Sequence, residues 1–304
     1  MGRLASVDGV ICPPEEAKVS VYDRGFLYGD SVFETLRTYG GEPFALDEHL
    51  ARLERSAERV AIEVPLPRAD FALEIRRVVR AARNAESSAR AMLTRGSGPL
   101  GLDPGLALKP LRVVLVEPLT PLPTALYRNG VAVIAVRTQR QVDTAAQGAK
   151  FGNYLASLLA LREAKAAGAH EALILDAAGH VLEGTTSNLF LVERGGEQSP
   201  ALVTPPAEAG ILAGITRAHV IEAAGELGVQ VRFEPITPAR LAAAEEVFIT
   251  SSLRELLPVT RVDGQPVGGG APGPVTRSLH TAFRRKVGAG AEPLPWEPAP
   301  PGPA

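Results

Sequence analysis

One cysteine, Cys12, is the only thiol in the chain. It excludes a disulfide framework within one chain and makes a reducing cytoplasm the expected compartment. Long apolar runs are missing too. Stretches such as 111–116 and 130–136 have strand length and fall far short of a membrane span. The start of the sequence lacks a basic-then-apolar leader, so export is not expected. Neither sign of charge dominates, with 32 basic and 34 acidic residues and a net charge of -2. The basic residues are scattered, which argues against a nucleic-acid surface. His170 and His180 lack the spaced partners of a metal centre and read as ordinary loop-edge histidines. No internal repeat is visible. Lysine is scarce, with five in 304 residues, so the placement of each is informative.

What is present is a globular composition, 45% hydrophobic and 22% charged, with length enough for one large or two ordinary domains. Residues 1–23 read as a hairpin turning at Pro13-Pro14-Glu15-Glu16, with residues 18–22 as its second strand. Residues 23–30 read as a polar, glycine-rich loop. Alternation over 31–39 predicts a strand with Phe33, Thr35, Arg37 and Tyr39 on one face. Arg37 could equally point to solvent from a barrel edge. Asp47 is placed to cap a helix over 48–60 whose stripe is Leu50, Leu53 and Ala57, with Arg52 beside it. A second helix is expected over 68–85, and strands over 89–94 and 111–116. Together these make a small α+β domain, residues 1–117.

The proline-rich segment after Glu117 reads as a linker over residues 118–129. A larger domain is expected over 130–287. Its strands are 131–136, 171–175, 181–183, 188–192, 201–204, 229–233 and 246–250. Its helices are 155–168, 217–227, 237–244 and a last one from Gly273-Pro274 to near Val287. Residues 137–147 read as a polar loop, and residues 288–304 as a mobile tail.

Lys150 stands at a short turn before the helix over 155–168. A surface lysine at a helix start would look the same. Burial of the amine becomes acceptable if it is deprotonated or covalently bound, as when it condenses with a carbonyl cofactor. Such a site also needs a carboxylate for a pyridine nitrogen and groups that hold a phosphate. Glu183, before the polar loop 184–187, can supply the first, although alone it could be a loop-facing glutamate. Gly214, Ile215 and Thr216 open a helix whose unpaired N–H groups suit an anion. Arg52 offers a fork of donors, and Ser251 and Ser252 offer hydroxyls at a strand end.

The stretches 23–37, 48–53, Lys150 with Asn153 and Tyr154, 182–184 with 188–190, 214–217 and 255–259 resemble the fold-type IV, or class IV, aminotransferases. That group comprises branched-chain aminotransferases, D-amino acid aminotransferases and 4-amino-4-deoxychorismate lyases. The resemblance runs over about residues 18–285, and its specificity lies in the combination. It implies an α+β two-domain enzyme, a small α/β domain plus a larger pseudo-barrel domain flanked by helices, using pyridoxal 5'-phosphate. In that family's terms Lys150 is the covalently bound lysine and proton shuttle. Glu183 pairs with the ring nitrogen, Tyr154 bonds the phenolic oxygen, and Leu212 packs on the ring. Arg52, Gly214, Ile215, Thr216, Ser251 and Ser252 hold the phosphate. Tyr28, Phe33, Arg37, Arg90 and Leu253 are implied substrate contacts. A homodimer is also implied, with the loop around Tyr28 reaching the neighbouring active site.

Within the family, Arg90 falls where branched-chain enzymes carry the arginine that reads the side-chain carboxylate of glutamate or 2-oxoglutarate. Leu100 and Leu102 stand where the D-amino acid enzymes place arginine and histidine. Thr35 is equally at home in the lyases, Ser88 replaces a carboxylate-binding tyrosine of the enteric type, and residues 138–143 match none of the groups well. The expected activity is transamination between an L-branched-chain amino acid and 2-oxoglutarate. The alternatives are aminodeoxychorismate lyase and D-amino acid or (R)-amine transaminase.

Overall fold

The first apolar stretch forms a hairpin of β1 (Leu4–Val7) and β2 (Val10–Cys12). It turns at Asp8 and Gly9, both at positive φ, which Asp-Gly adopts readily. The turn expected at Pro13–Glu16 is present, with Glu16 N donating to the Pro13 carbonyl at 3.1 Å, but it is not the hairpin turn, and the strand expected over 18–22 is corrected. Residues 18–22 carry no strand, and Val19, Val21 and Tyr22 are exposed. Residues 23–30 hold a short helix, α1 (Arg24–Tyr28), rather than a loop. The Asp23 carboxylate caps it by accepting from Gly25 N, and Gly29 ends it in the left-handed region.

The computed structural model describes residues 2–107, 109–137, 147–194, 200–289 and 294–297. The chain divides into two units, Met1–Thr120 with Val142–Tyr154, and Pro121–Gln141 with Leu155–Ala304. Residues 138–146 of the expected polar loop lie outside the described residues.

In the first unit β3 (Ser31–Tyr39) and β4 (Glu42–Pro43) are followed by α2 (Leu46–Arg59), α3 (Arg68–Ala82), β5 (Ser87–Thr94) and β6 (Leu111–Pro118). The strands form one sheet in the order β2-β1-β6-β5-β3-β4. Pairing of Val32 with Leu93, Leu36 with Ala89 and Ala91 with Val114 puts these residues on one face. That face packs under Leu50, Leu53 and Ala57 of α2 and Phe71, Ile75 and Val78 of α3. The opposite face carries Phe33, Thr35 and Arg37 beside Met92, Arg90 and Ser88. Helix α2 starts one residue before Asp47, and its N-cap is Ala45 with no side-chain bond. Asp47 instead sits in the first turn, where a carboxylate favours the helix dipole. Helix α3 stops at Ala82 because Arg83 turns left-handed.

The second unit begins earlier than its strands announce. The expected linker includes α4 (Thr124–Asn129), whose Tyr127 is buried and donates from its hydroxyl to the Arg254 carbonyl at 2.9 Å. Then come β7 (Val131–Arg137), α5 (Leu155–Ala166), β8 (Glu171–Leu175), β9 (Val181–Gly184), β10 (Asn188–Arg194) and β11 (Pro200–Thr204). Helix α6 (Ile215–Glu226), β12 (Gln230–Phe233), α7 (Pro238–Ala242), β13 (Glu246–Ser251), β14 (Glu255–Val262), β15 (Gln265–Pro266) and α8 (Pro274–Lys286) complete it. Sequence alone does not announce β14, because Pro258 interrupts it.

The main path of the sheet is β12-β11-β10-β13-β14-β7-β8-β9. Its ends meet, since Val181 of edge strand β9 donates to the Ile236 carbonyl just beyond β12 at 2.7 Å. The sheet therefore curls on itself as a pseudo-barrel around Val133, Leu173, Leu189, Leu191, Val203 and Leu257. The tail expected to be mobile is tied down in part: Trp296 meets His280 of α8 edge-on at 4.8 Å, and Arg128 donates to the Glu297 carbonyl at 2.6 Å. Residues 290–293 and 298–304 lie outside the described residues.

Candidate active site

Residues 150–152 join the first unit by extending its sheet. Phe33 N donates to the Lys150 carbonyl at 3.0 Å, and Gly152 N to the Ser31 carbonyl at 2.7 Å. Lys150 N in turn donates to Ser56 Oγ of α2 at 3.1 Å. The expected placement of Lys150 within the 130–287 domain is thus corrected, and the cause is this backbone pairing. Gly152 is required by contact, since a Cβ there would lie 2.1 Å from Ser31 Oγ.

This pairing gathers four of the expected residues on the open face of the sheet. Lys150 Nζ lies 4.8 Å from the centre of the Phe33 ring, and the Arg90 guanidinium carbon lies 4.4 Å from it. The Tyr154 ring is 5.4 Å from Phe33 with a 55° tilt. Arg90 pairs across the sheet with Thr35, which fixes it on the Phe33 side. It is exposed, and among the described residues no carboxylate pairs with it. Arg37 shares the face but is buried, donates to the Thr38 carbonyl at 3.3 Å and lies 4.1 Å from the Tyr39 ring. Tyr28 stands apart at the end of α1, its hydroxyl accepting from Gly101 N at 3.3 Å.

On the helix-facing side Glu34 is fully buried. It accepts from Arg52 Nε and Nη2 at 2.7 and 2.6 Å and contacts His49 Nδ1 at 2.7 Å. Burial pushes the Glu34 carboxyl up, but Arg52 and His49 overcome this and lower it from 4.5 to about 2. An ionised Glu34 can only accept, so His49 donates from Nδ1. Burial also pushes His49 down from its ordinary value; Glu34 pulls it back, while Arg52 and Lys150 add to the lowering. Arg52 is therefore held by a two-point fork. The sequence placed Arg52 beside the apolar stripe but carried no sign of Glu34 or His49 as its partners.

In the second unit Glu183, at the end of β9, is buried. One of its oxygens accepts from Leu212 N at 3.0 Å and from Asn188 Nδ2 at 3.3 Å, and Asn188 Nδ2 also donates to the Leu212 carbonyl at 2.8 Å. Asn188 is thus a clasp between Glu183 and the Leu212 backbone, a role that sequence reasoning missed. A Cβ on Gly214 would lie 1.9 Å from Asn188 Oδ1, so that position must be glycine for the two to meet. Gly214 caps α6 without a side-chain bond, leaving the first N–H groups of the helix to an external acceptor. Ile215 and Thr216 are buried in that first turn. Burial lowers Arg217, the next residue, while the Glu183 charge raises it. Ser251 ends β13, its hydroxyl accepting from Arg254 Nε at 3.0 Å, and Ser252 and Leu253 lie half-buried in the turn that follows. The expected residues therefore fall in two sets, Tyr28, Phe33, Arg37, Arg52, Arg90, Lys150 and Tyr154 in the first unit and Glu183, Leu212, Gly214, Ile215, Thr216, Ser251, Ser252 and Leu253 in the second.

A family model described as Amino-transferase class IV matches residues 31–262. The chain is 39% identical over 279 residues, 91% of its length and 94% of the other's, to a putative branched-chain-amino-acid aminotransferase of Methanocaldococcus jannaschii. It is 32% identical over 280 residues, 92% and 95% of the two lengths, to the D-alanine aminotransferase of Bacillus licheniformis. Among solved structures, a branched-chain amino acid aminotransferase of T.th. with pyridoxamine 5'-phosphate matches with a TM-score of 0.87 at 34% identity, over 96% of each chain. The same enzyme complexed with N-(5'-phosphopyridoxyl)-L-glutamate matches at 0.85 and 34%, over 95% of each. The chain belongs to the class IV aminotransferases and is a fold-type IV, pyridoxal-phosphate-dependent transaminase.

Proposed function

We propose that this enzyme exchanges the amino group between an L-branched-chain amino acid and 2-oxoglutarate. The observation that carries the reading is Arg90, a guanidinium with no carboxylate partner among the described residues, stacked on Phe33 beside Lys150. Such a group can take the distal carboxylate of glutamate, while Phe33 and Met92 offer an apolar surface to leucine, isoleucine or valine. Arg37, the other arginine of that face, is already occupied by its backbone and aromatic contacts.

The residues present fit the cofactor. The N-terminus of α6 has no side-chain cap, and the buried hydroxyls of Ser187 and Thr250, next to Asn188 and Ser251, have no partner among the described residues. Ile215, Thr216, Ser251, Ser252 and Arg52 would hold the phosphate, with Gly214 giving the helix its close approach. Glu183 would take the ring nitrogen, Tyr154 the phenolic oxygen, and Leu212 a ring face. The cofactor supplies an electron sink for the bond broken at the substrate Cα. Lys150 would hold the cofactor covalently at rest and, once released, its Nζ would take up the substrate Cα proton, for which the amine must be neutral. Phe33 places its ring face 4.8 Å from that amine.

In this reading the enzyme acts as a cytoplasmic homodimer, with the exposed Phe26, Tyr28, Leu100 and Leu102 as the surface to be covered. The match to a D-alanine aminotransferase keeps a D-specific reading in view. Half-reactions followed by visible absorbance with L-leucine, L-glutamate, D-alanine and D-glutamate separate the two. Fast turnover of both L-substrates is expected. Reaction confined to the D-substrates would install D-transamination, and pyruvate release from aminodeoxychorismate with inertness toward all four would install the lyase.

A further inference from the structure

Behind the cofactor-side loops of the second unit lies a carboxylate that the activity does not explain. Glu171 opens β8 and is 1% exposed. Its Oε1 accepts from Thr185 Oγ1 at 3.0 Å, Thr186 N at 2.8 Å and Thr186 Oγ1 at 3.3 Å. Its Oε2 is ion-paired to Arg254 Nη1. Arg254 spreads the remainder of its fork over Ser251 Oγ at 3.0 Å, the Thr186 carbonyl at 3.1 Å and Thr186 Oγ1 at 2.6 Å. One ion pair therefore fastens two segments far apart in sequence, the loop between Glu183 and Asn188 and the turn that carries Ser251 and Ser252.

The surroundings are shaped to admit it. A Cβ on Gly184 would meet Glu171 Oε1 at 2.7 Å and Ser187 Oγ at 2.2 Å, so only glycine lets the carboxylate approach the loop. On the far side of the turn Glu255 is held at φ +58° by His280 at 2.5 Å and Arg284 at 2.8 Å. The turn is thus pinned at both ends, but only the Glu171 end also reaches the Glu183 loop.

We propose that Glu171 and Arg254 are a positioning pair for the cofactor, setting the distance between the carboxylate that meets the ring nitrogen and the serine turn that meets the phosphate. The proposal rests on the assignment of Glu183 and Ser252 given above. Neither member of the pair touches the cofactor; each acts through the loop it holds. Removing one partner of such a buried pair leaves the other uncompensated, so the two segments that it joins lose their common anchor.

The test is a double-mutant cycle on the pyridoxal-phosphate dissociation constant of the full-length protein, comparing the parent with Glu171→Gln, Ser252→Ala and the pair. Each single variant is expected to bind about tenfold more weakly, and the double variant no more weakly than the worse single. The visible band of the Glu171→Gln holoenzyme should also shift in its pH dependence. A hundredfold, additive loss in the double variant would show that Glu171 acts elsewhere and overturn the proposal. Parent-like affinity in Glu171→Gln with loss in Ser252→Ala would overturn it while leaving the phosphate assignment intact. No effect in either single variant would remove both. Should Glu171→Gln not fold, Arg254→Lys replaces it in the cycle under the same criteria.

Discussion

Phe33 is the residue around which the first unit's candidate site residues gather, with a lysine amine, a guanidinium and a tyrosine ring all within 5.4 Å of its centre. Lys150 stood out by its rarity and its turn-then-helix setting but was singled out, like Arg90 before Arg95-Gly96, only with the family resemblance. Their meeting over one ring was not legible, because it depends on residues 150–152 pairing with β3 more than a hundred positions away. Lys150→Ala is expected to abolish transamination and leave no borohydride-reducible link to the cofactor, as read by peptide mass mapping. A retained adduct would place the chemistry on another lysine. Lys165 is a poor substitute, since its amine already donates to the His170 carbonyl at 2.8 Å. Glu34 was illegible for a different reason. A carboxylate among Val32 and Leu36 only makes sense once Arg52 and His49 are known to lie above it.

At the scale of elements, β3 and α2 are welded by that buried triad, which makes their packing sensitive to acid. Glu34 is depressed from 4.5 to about 2 in the folded state. The unfolded chain therefore binds its proton first, and the stability Glu34 contributes is present above pH 4.5 and lost as pH falls toward 2. His49, lowered from 6.5 by burial, acts in the same direction and begins to charge in the unfolded chain below that pH. Thermal unfolding measured from pH 7 downward should show this loss in the parent and a flatter curve in Glu34→Gln below pH 4.5, on a lower baseline. Equal slopes in the two proteins would show that Glu34 is not ionised in the fold. Periodicity located most of the helices and strands of both units, including the apolar face of α3. It failed where turn chemistry decided, at the Asp8-Gly9 hairpin and at α1, and where a proline concealed β14.

At the scale of the molecule, the curled sheet of the second unit brings Glu183, the start of α6 and the Ser251 turn to strand and helix ends of one fold. Its closure through Val181 and Ile236 joins segments far apart in sequence, a pairing that no local pattern encodes. In the proposed function substrate choice is assigned to the other unit, whose sheet presents Arg90 beside Phe33. The most direct test of the account is the pair of half-reactions of Arg90→Ala with L-glutamate and L-leucine, each compared with the parent. Truncating one partner of a buried charge pair costs roughly 2–5 kcal/mol, and the exposure of Arg90 puts the expected loss at the low end of that range. The rate constant for L-glutamate should therefore fall by more than an order of magnitude while that for L-leucine stays close to the parent's. An equal fall for both amino acids, or none for either, would contradict the assignment of Arg90 as the reader of the distal carboxylate.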